Sequence, residues 1–187
     1  MTRHVFDFDA TERFVLGTVG MPGERTFFLQ ARQTGMLTSV ILEKAQAAAL
    51  ADRVDQLLDE ARARGHEDVI PADAAVTITD TAPLDAPIVE EFRVGAMALG
   101  WDEASRRVVI EAHAVADEPA SIPDIGDDDA PGPDTLRVWL SAAMARAFAD
   151  RARSVVSAGR PPCPFCSQPL DPEGHICPRS NGYRRRS

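Results

Sequence analysis

Residues 40–53, VILEKAQAAALADR, and residues 138–151, VWLSAAMARAFADR, are two copies of one strand-to-helix stretch. Aligned without a gap, they share Val40 with Val138 and Leu42 with Leu140. They also share Ala45, Ala47, Ala49 and Ala51 with Ala143, Ala145, Ala147 and Ala149, and Asp52-Arg53 with Asp150-Arg151. A repeat of this kind constrains the architecture first, because one small strand–helix unit cannot bury its own apolar face and must share a core with its copy. The competing reading is two unrelated units that look alike because alanine-rich helices do.

Upstream of each copy the pattern is that of an antiparallel meander. HVFDFD (4–9) alternates apolar and acidic residues, as a short edge strand does. RFVLGTV (13–19), RTFFLQAR (25–32) and MLTSVIL (36–42) read as three strands joined by Gly20-Met21-Pro22-Gly23 and Thr34-Gly35 turns. In the second half EFRVGAMALGW (91–101), RVVIEAHAV (107–115) and residues 136–140 repeat that order, and a short strand is expected at 76–79 in the proline-bearing connector between the halves. Leu42, Ala45, Ala49, Leu50, Val54, Leu57 and Leu58 are assigned to the buried face of the first helix, which Gly65 ends. Met144, Ala147, Phe148, Ala152, Val155 and Val156 are assigned to that of the second, with Ser141 as N-cap and Gly159 as stop. Phe14-x-x-Gly17 is echoed by Phe92-x-x-Gly95, and Phe28-Leu29-Gln30-Ala31 by Val109-Ile110-Glu111-Ala112.

The expected fold is α+β: internally duplicated βββα units forming an antiparallel sheet with two amphipathic helices, related by a pseudo-twofold, plus a small zinc-ribbon-like tail. The duplicated domain spans 1–159, with repeat 1 at about 12–65 and repeat 2 at about 90–159. The tail spans 160–187.

With 44% apolar and 26% charged residues, the 187-residue chain is an ordinary globular one. It has no apolar run long enough to cross a membrane and no signal-peptide pattern, so a cytoplasmic location is expected. From Arg160 onward five arginines face Asp171 and Glu173, a surplus of three positive charges, so the body carries −12 of the net −9. So acidic a body repels a phosphate backbone and argues against generic nucleic-acid binding.

All three cysteines lie in CPFCSQPLDPEGHIC, residues 163–177. Cys163-x-x-Cys166 can place two thiolates at adjacent corners of a tetrahedron, and His175-x-Cys177 offers an imidazole and a third thiolate. Such a Cys₃His set closes a structural zinc site and leaves no open position for catalysis. The alternatives are a redox-active thiol pair or no specific role. Arg184, Arg185 and Arg186 then form a basic patch near the end of the sequence, able to contact RNA, a phosphorylated ligand or an acidic partner, or a solvated tail.

FVLGTVGMPGERTFFLQAR, VILEKAQAAALADR and the terminal CPFC…GHICPRSNGYRR together resemble an actinobacterial family known as a domain of unknown function, over essentially the whole chain. The resemblance implies a cytoplasmic protein with no assigned activity. It also implies gene neighbours that encode a phosphoinositide-kinase-like protein and a histidine-phosphatase-like protein.

No nucleophile elbow, phosphate-binding loop, dinucleotide fingerprint or H-E-x-x-H is present. Glu111 and His113 share a strand face and could act as an orienter and a base; more simply, they are a half-exposed histidine beside a solvated carboxylate. The acidic residues Asp124, Asp127, Asp128, Asp129 and Asp134 lack calcium-loop order and read as a solvated insertion. The first functional expectation is therefore a non-enzymatic binding or adaptor protein with a structural zinc, docking a kinase-like partner through its tail. The alternative is an enzyme or binder of a small phosphorylated or thiol metabolite at the repeat interface, using His113, Glu111 and Arg93.

Overall fold

Apolar side chains at alternate positions of RFVLGTV, TFFLQARQ and MLTSVIL demand strands with one face turned to a core, and the second half of the chain repeats the demand. The computed structural model describes residues 3–70, 80–116, 122–159, 163–166 and 177. Its elements are β1 (Val5–Phe8), β2 (Arg13–Val19), β3 (Thr26–Gln33), β4 (Met36–Leu42), α1 (Lys44–Ala61), β5 (Glu90–Asp102), β6 (Arg107–Ala114), β7 (Thr135–Leu140) and α2 (Ala142–Ser157). The strand expected at 76–79 lies outside the described residues.

The strands form one seven-stranded sheet in the order β1-β7-β6-β5-β4-β3-β2. Laid flat, six spacings of about 4.8 Å would part β1 from β2 by roughly 29 Å, whereas the link from Phe8 to Arg13 reaches roughly 18 Å at most. The sheet therefore curls until its edges meet. The side chain of Gln33 accepts from the Ala10 amide at 2.9 Å and donates to Asp9 at 3.1 Å, and the Glu12 amide donates to the Arg32 carbonyl at 2.9 Å.

β2–β3–β4 and β5–β6–β7 are antiparallel meanders, but β4 joins β5, and β7 joins β1, in parallel. β5 performs two tasks: its first residues run beside β4 and its remainder pairs with β6, with a register shift between Val94 and Ala96. β1 and β2 divide the same two tasks, interrupted by Asp9–Glu12. The two βββα segments thus follow each other head to tail around the curl. Their first strands do not match at the expected offset. Val15 stands opposite Gln30, and Ala98 stands opposite Glu111, so Gly17 corresponds in register to Gly100. Gly95 instead marks the bulge, where an added Cβ would lie 3.0 Å from the Val115 Cα.

One face of the sheet packs on the helices. Phe14, Leu16, Leu29, Val40, Ile110 and Val138 meet Leu50, Val54 and Leu58 of α1 and Ala145, Phe148 and Ala152 of α2 in a single core. Each fully buried large side chain there contributes roughly 1.5–3 kcal/mol. The helix faces are rotated slightly from expectation. Ala45 and Ala49 are exposed, while Ala47, Ala51 and Ala61 are buried; with alanine on every side of α1, only the leucines and valine mark its core face. Met144, Val155 and Val156 pack against the core but are only partly buried, and Ala142, Ala145 and Ala149 join Phe148 and Ala152 as the buried residues of α2. Regular α1 ends at Ala61, a wide π turn continues over Arg62–His66, and Gly65 supplies its left-handed residue (φ 108°). Ser141 caps α2 as expected, its hydroxyl accepting from the Met144 amide at 3.3 Å.

The opposite face is covered by loops. Leu84 lies over Gly17, and Ile125 lies over Gly100; an added Cβ would come within 2.6 Å and 3.2 Å of those side chains. Beside each contact a polar residue of the middle strand is bonded to the covering loop and to the strand opposite. Gln30 accepts from the Asp85 amide at 2.7 Å and donates to Ser39 at 3.0 Å. Glu111 accepts from the Gly126 amide at 3.2 Å and from Arg137 at 2.6 Å.

Candidate metal centre

Cys163 and Cys166 flank the Pro164-Phe165 turn, which brings their side chains together, and Cys177 returns to the same point. The three sulfurs lie within 4.8 Å of one another, with Cys163 and Cys177 3.8 Å apart. A disulfide needs about 2.05 Å, so none joins Cys163 to Cys177. Cys163 and Cys177 are buried (3% and 6% exposed) and Cys166 is half-buried. Burial opposes ionisation of Cys163, but the amides of Cys166 and Phe165 and the two other thiols outweigh it, holding this thiol below its ordinary value. Three sulfur donors so placed could bind a metal ion. His175 and the basic residues Arg184, Arg185 and Arg186 lie outside the described residues.

The histidine site at the repeat interface does not assemble. Arg93 is exposed and pairs with Glu43, apart from the other two residues. Nor are Glu111 and His113 solvated, because the loop over residues 122–134 covers their face and both are 0% exposed. The Thr135 hydroxyl donates to the Pro133 carbonyl at 3.0 Å and accepts from Arg3, so at 2.9 Å it receives a hydrogen bond from His113 Nδ1. His113 Nε2 is then a lone pair facing Glu111 Oε2 at 3.5 Å, and neither atom has a hydrogen-bond partner among the described residues. Burial pushes the imidazole below its ordinary value, against the opposing pull of Glu111.

Arg137 is the residue that the sequence reading missed here. It is 2% exposed and bonds Glu111 and Asp128, both at 2.6 Å. Burial alone would lower its affinity for the proton, but those two carboxylates more than offset this and raise it. The available signal was an arginine inside the apolar strand LRVWL, which needs a buried anion opposite it. The first half has a comparable clamp. Arg13, 9% exposed, bonds Asp80 at 2.6 Å and Asp85 at 3.0 Å. Arg151 reaches from α2 to the Leu16 carbonyl at 2.9 Å and to Asp80 at 2.9 Å. Arg13 holds the Asp80 carboxyl below its usual range. These arginines fasten the segment after residue 79 to the sheet and to α2.

A family model described as "Protein of unknown function (DUF3090)" matches residues 6–177. The chain belongs to the DUF3090 family. The match takes in both βββα segments, the arginine clamps and all three cysteines, and it transfers no activity to any of them. Among curated proteins nothing matches this DUF3090 member. Among its described residues, no helix is long and apolar enough to cross a membrane.

Proposed function

We propose that this DUF3090 protein is a non-enzymatic adaptor in which residues 160–187 form a zinc-ribbon-like module that presents a basic surface to a protein partner. The observation that carries the reading is the 3.8 Å separation of the Cys163 and Cys177 sulfurs. Thiolates about 2.3 Å from a tetrahedral zinc stand about 3.8 Å apart. Cys166 supplies the third corner and His175, two residues before Cys177, the fourth. A filled Cys₃His set has no open position, so the zinc is structural and orders a segment with few large apolar residues. Reduced thiols suit a cytoplasmic location.

We propose further that residues 1–159 arose by duplication of a βββα unit. The head-to-tail strand order, the paired glycines Gly17 and Gly100 and the paired polar residues Gln30 and Glu111 support it. In this scheme the duplicated domain is the scaffold, and Arg184, Arg185 and Arg186 are the docking residues.

The gene neighbourhood implied by the family resemblance makes a phosphoinositide-kinase-like protein the partner to test first. The purified chain is expected to bind that protein, and both Cys163→Ser/Cys166→Ser and Arg184→Glu/Arg185→Glu/Arg186→Glu are expected to abolish the complex. A complex indifferent to both sets of changes would remove the tail from the docking surface.

A further inference from the structure

Most described arginines of this acidic chain stand against a carboxylate, as Arg53 does with Glu60, Arg106 with Asp68 and Arg146 with Asp55. Arg25 and Lys44 face no carboxylate among the described residues, and they share one recess. Lys44, the only lysine in the sequence, is the first residue of α1. Arg25 immediately precedes β3. Between them and the end of α2 lies a cavity of about 420 Å³, lined among the described residues by Gly23, Phe27, Val156, Ser157 and Gly159 besides the two cations. No carboxylate is among those lining residues. The volume falls within the range of small-molecule sites, roughly 300–1,000 Å³.

The end of α2 accounts for part of this charge. Arg25 donates to the Ala158 carbonyl at 2.5 Å, and a helix C-terminus presents about half a negative charge. Two full positive charges exceed that, so the recess keeps a net positive potential in a body that is otherwise strongly negative. Its floor is apolar where Phe27 and Val156 meet.

We infer that the recess binds a small phosphomonoester, its phosphate held between Arg25 and Lys44 and its apolar part resting on Phe27 and Val156. A guanidinium offers paired donors to phosphate oxygens, and an ammonium adds a point charge. The site lies where the first segment (β3 and α1) meets the second (α2), so an occupant would bridge the two halves. None of its described lining residues belongs to the cysteine cluster.

The test is calorimetric titration of the full-length protein with phenyl phosphate at low salt. One site per chain is expected, weakened at least tenfold by Lys44→Gln and by Arg25→Gln, largely kept by Lys44→Arg, and unchanged by Arg62→Gln. Binding that survives Lys44→Gln and Arg25→Gln would overturn the inference. So would binding lost only on Arg184→Gln/Arg185→Gln/Arg186→Gln, since the anion would then sit on the tail. Absence of binding to the unmodified chain would overturn it equally, and would leave the zinc module untouched.

Discussion

Glu111 and Arg137 face each other across β6 and β7 with their charged atoms 2.6 Å apart and their side chains no more than 3% exposed. A buried pair of this kind is costly to break from one side, because the remaining charge cannot return to water. Arg137→Met is expected to destabilise the protein by about 3–5 kcal/mol, and Arg137→Met/Glu111→Leu to recover much of that loss. Urea unfolding of the two variants measures both. Equal destabilisation in single and double variants would mean that the pair does not act as a unit.

His113 gives the fold a pH dependence of known sign. Burial depresses its folded value, so the folded state binds fewer protons than the unfolded one as pH falls. Its contribution is fully present above the unfolded value of about 6.5 and is lost as pH drops from there towards the lower folded value. The arginine-paired carboxylates Asp80 and Asp128 are held low and lose their contribution in a separate window, below the ordinary carboxylate range. Between pH 7.5 and 5.5 the melting temperature should fall more steeply for the unaltered protein than for His113→Gln, and parallel curves would contradict this.

Leu84 fills the space above Gly17 so closely that an added Cβ would meet its side chain at 2.6 Å. Gly17→Ala should cost roughly 1–3 kcal/mol by overpacking, with Leu84→Ala relieving part of the loss in the double variant. Gly100→Ala, facing the tip of Ile125 at 3.2 Å, should cost less. Chemical denaturation of the four proteins reads the coupling. A Gly17→Ala protein as stable as its parent would show that the loop over β2 is not seated there.

Ser141 is the capping residue of α2, and Ser141→Ala should remove about 1 kcal/mol, whereas Ser141→Asp should retain most of the stability. Thermal unfolding separates them, and equal losses would remove the cap from the account.

Strands β2 and β4 and the Ser141 cap could be read from the sequence because they depend on local alternation and on one hydroxyl. So could the cysteine cluster, since Cys163-x-x-Cys166 with a nearby third cysteine is a spacing that only a few geometries satisfy. The parallel pairing of β1 with β7 could not, because Val5 and Thr135 meet through a contact that no local pattern encodes. Burial of the outer sheet face was hidden for a similar reason. Glu111 and His113 alternate with apolar neighbours as solvent-facing residues do, and only the return of Ile125, Gly126 and Asp128 over them makes that face interior. Ala45 and Ala49 misled because alanine carries too little side chain to mark one side of a helix.

Native mass spectrometry of the protein, purified with its thiols reduced, tests the central claim most directly. The account predicts one zinc per chain, lost on Cys163→Ser/Cys166→Ser and strongly weakened by His175→Ala. A metal-free chain, or one whose metal is indifferent to those changes, would contradict it.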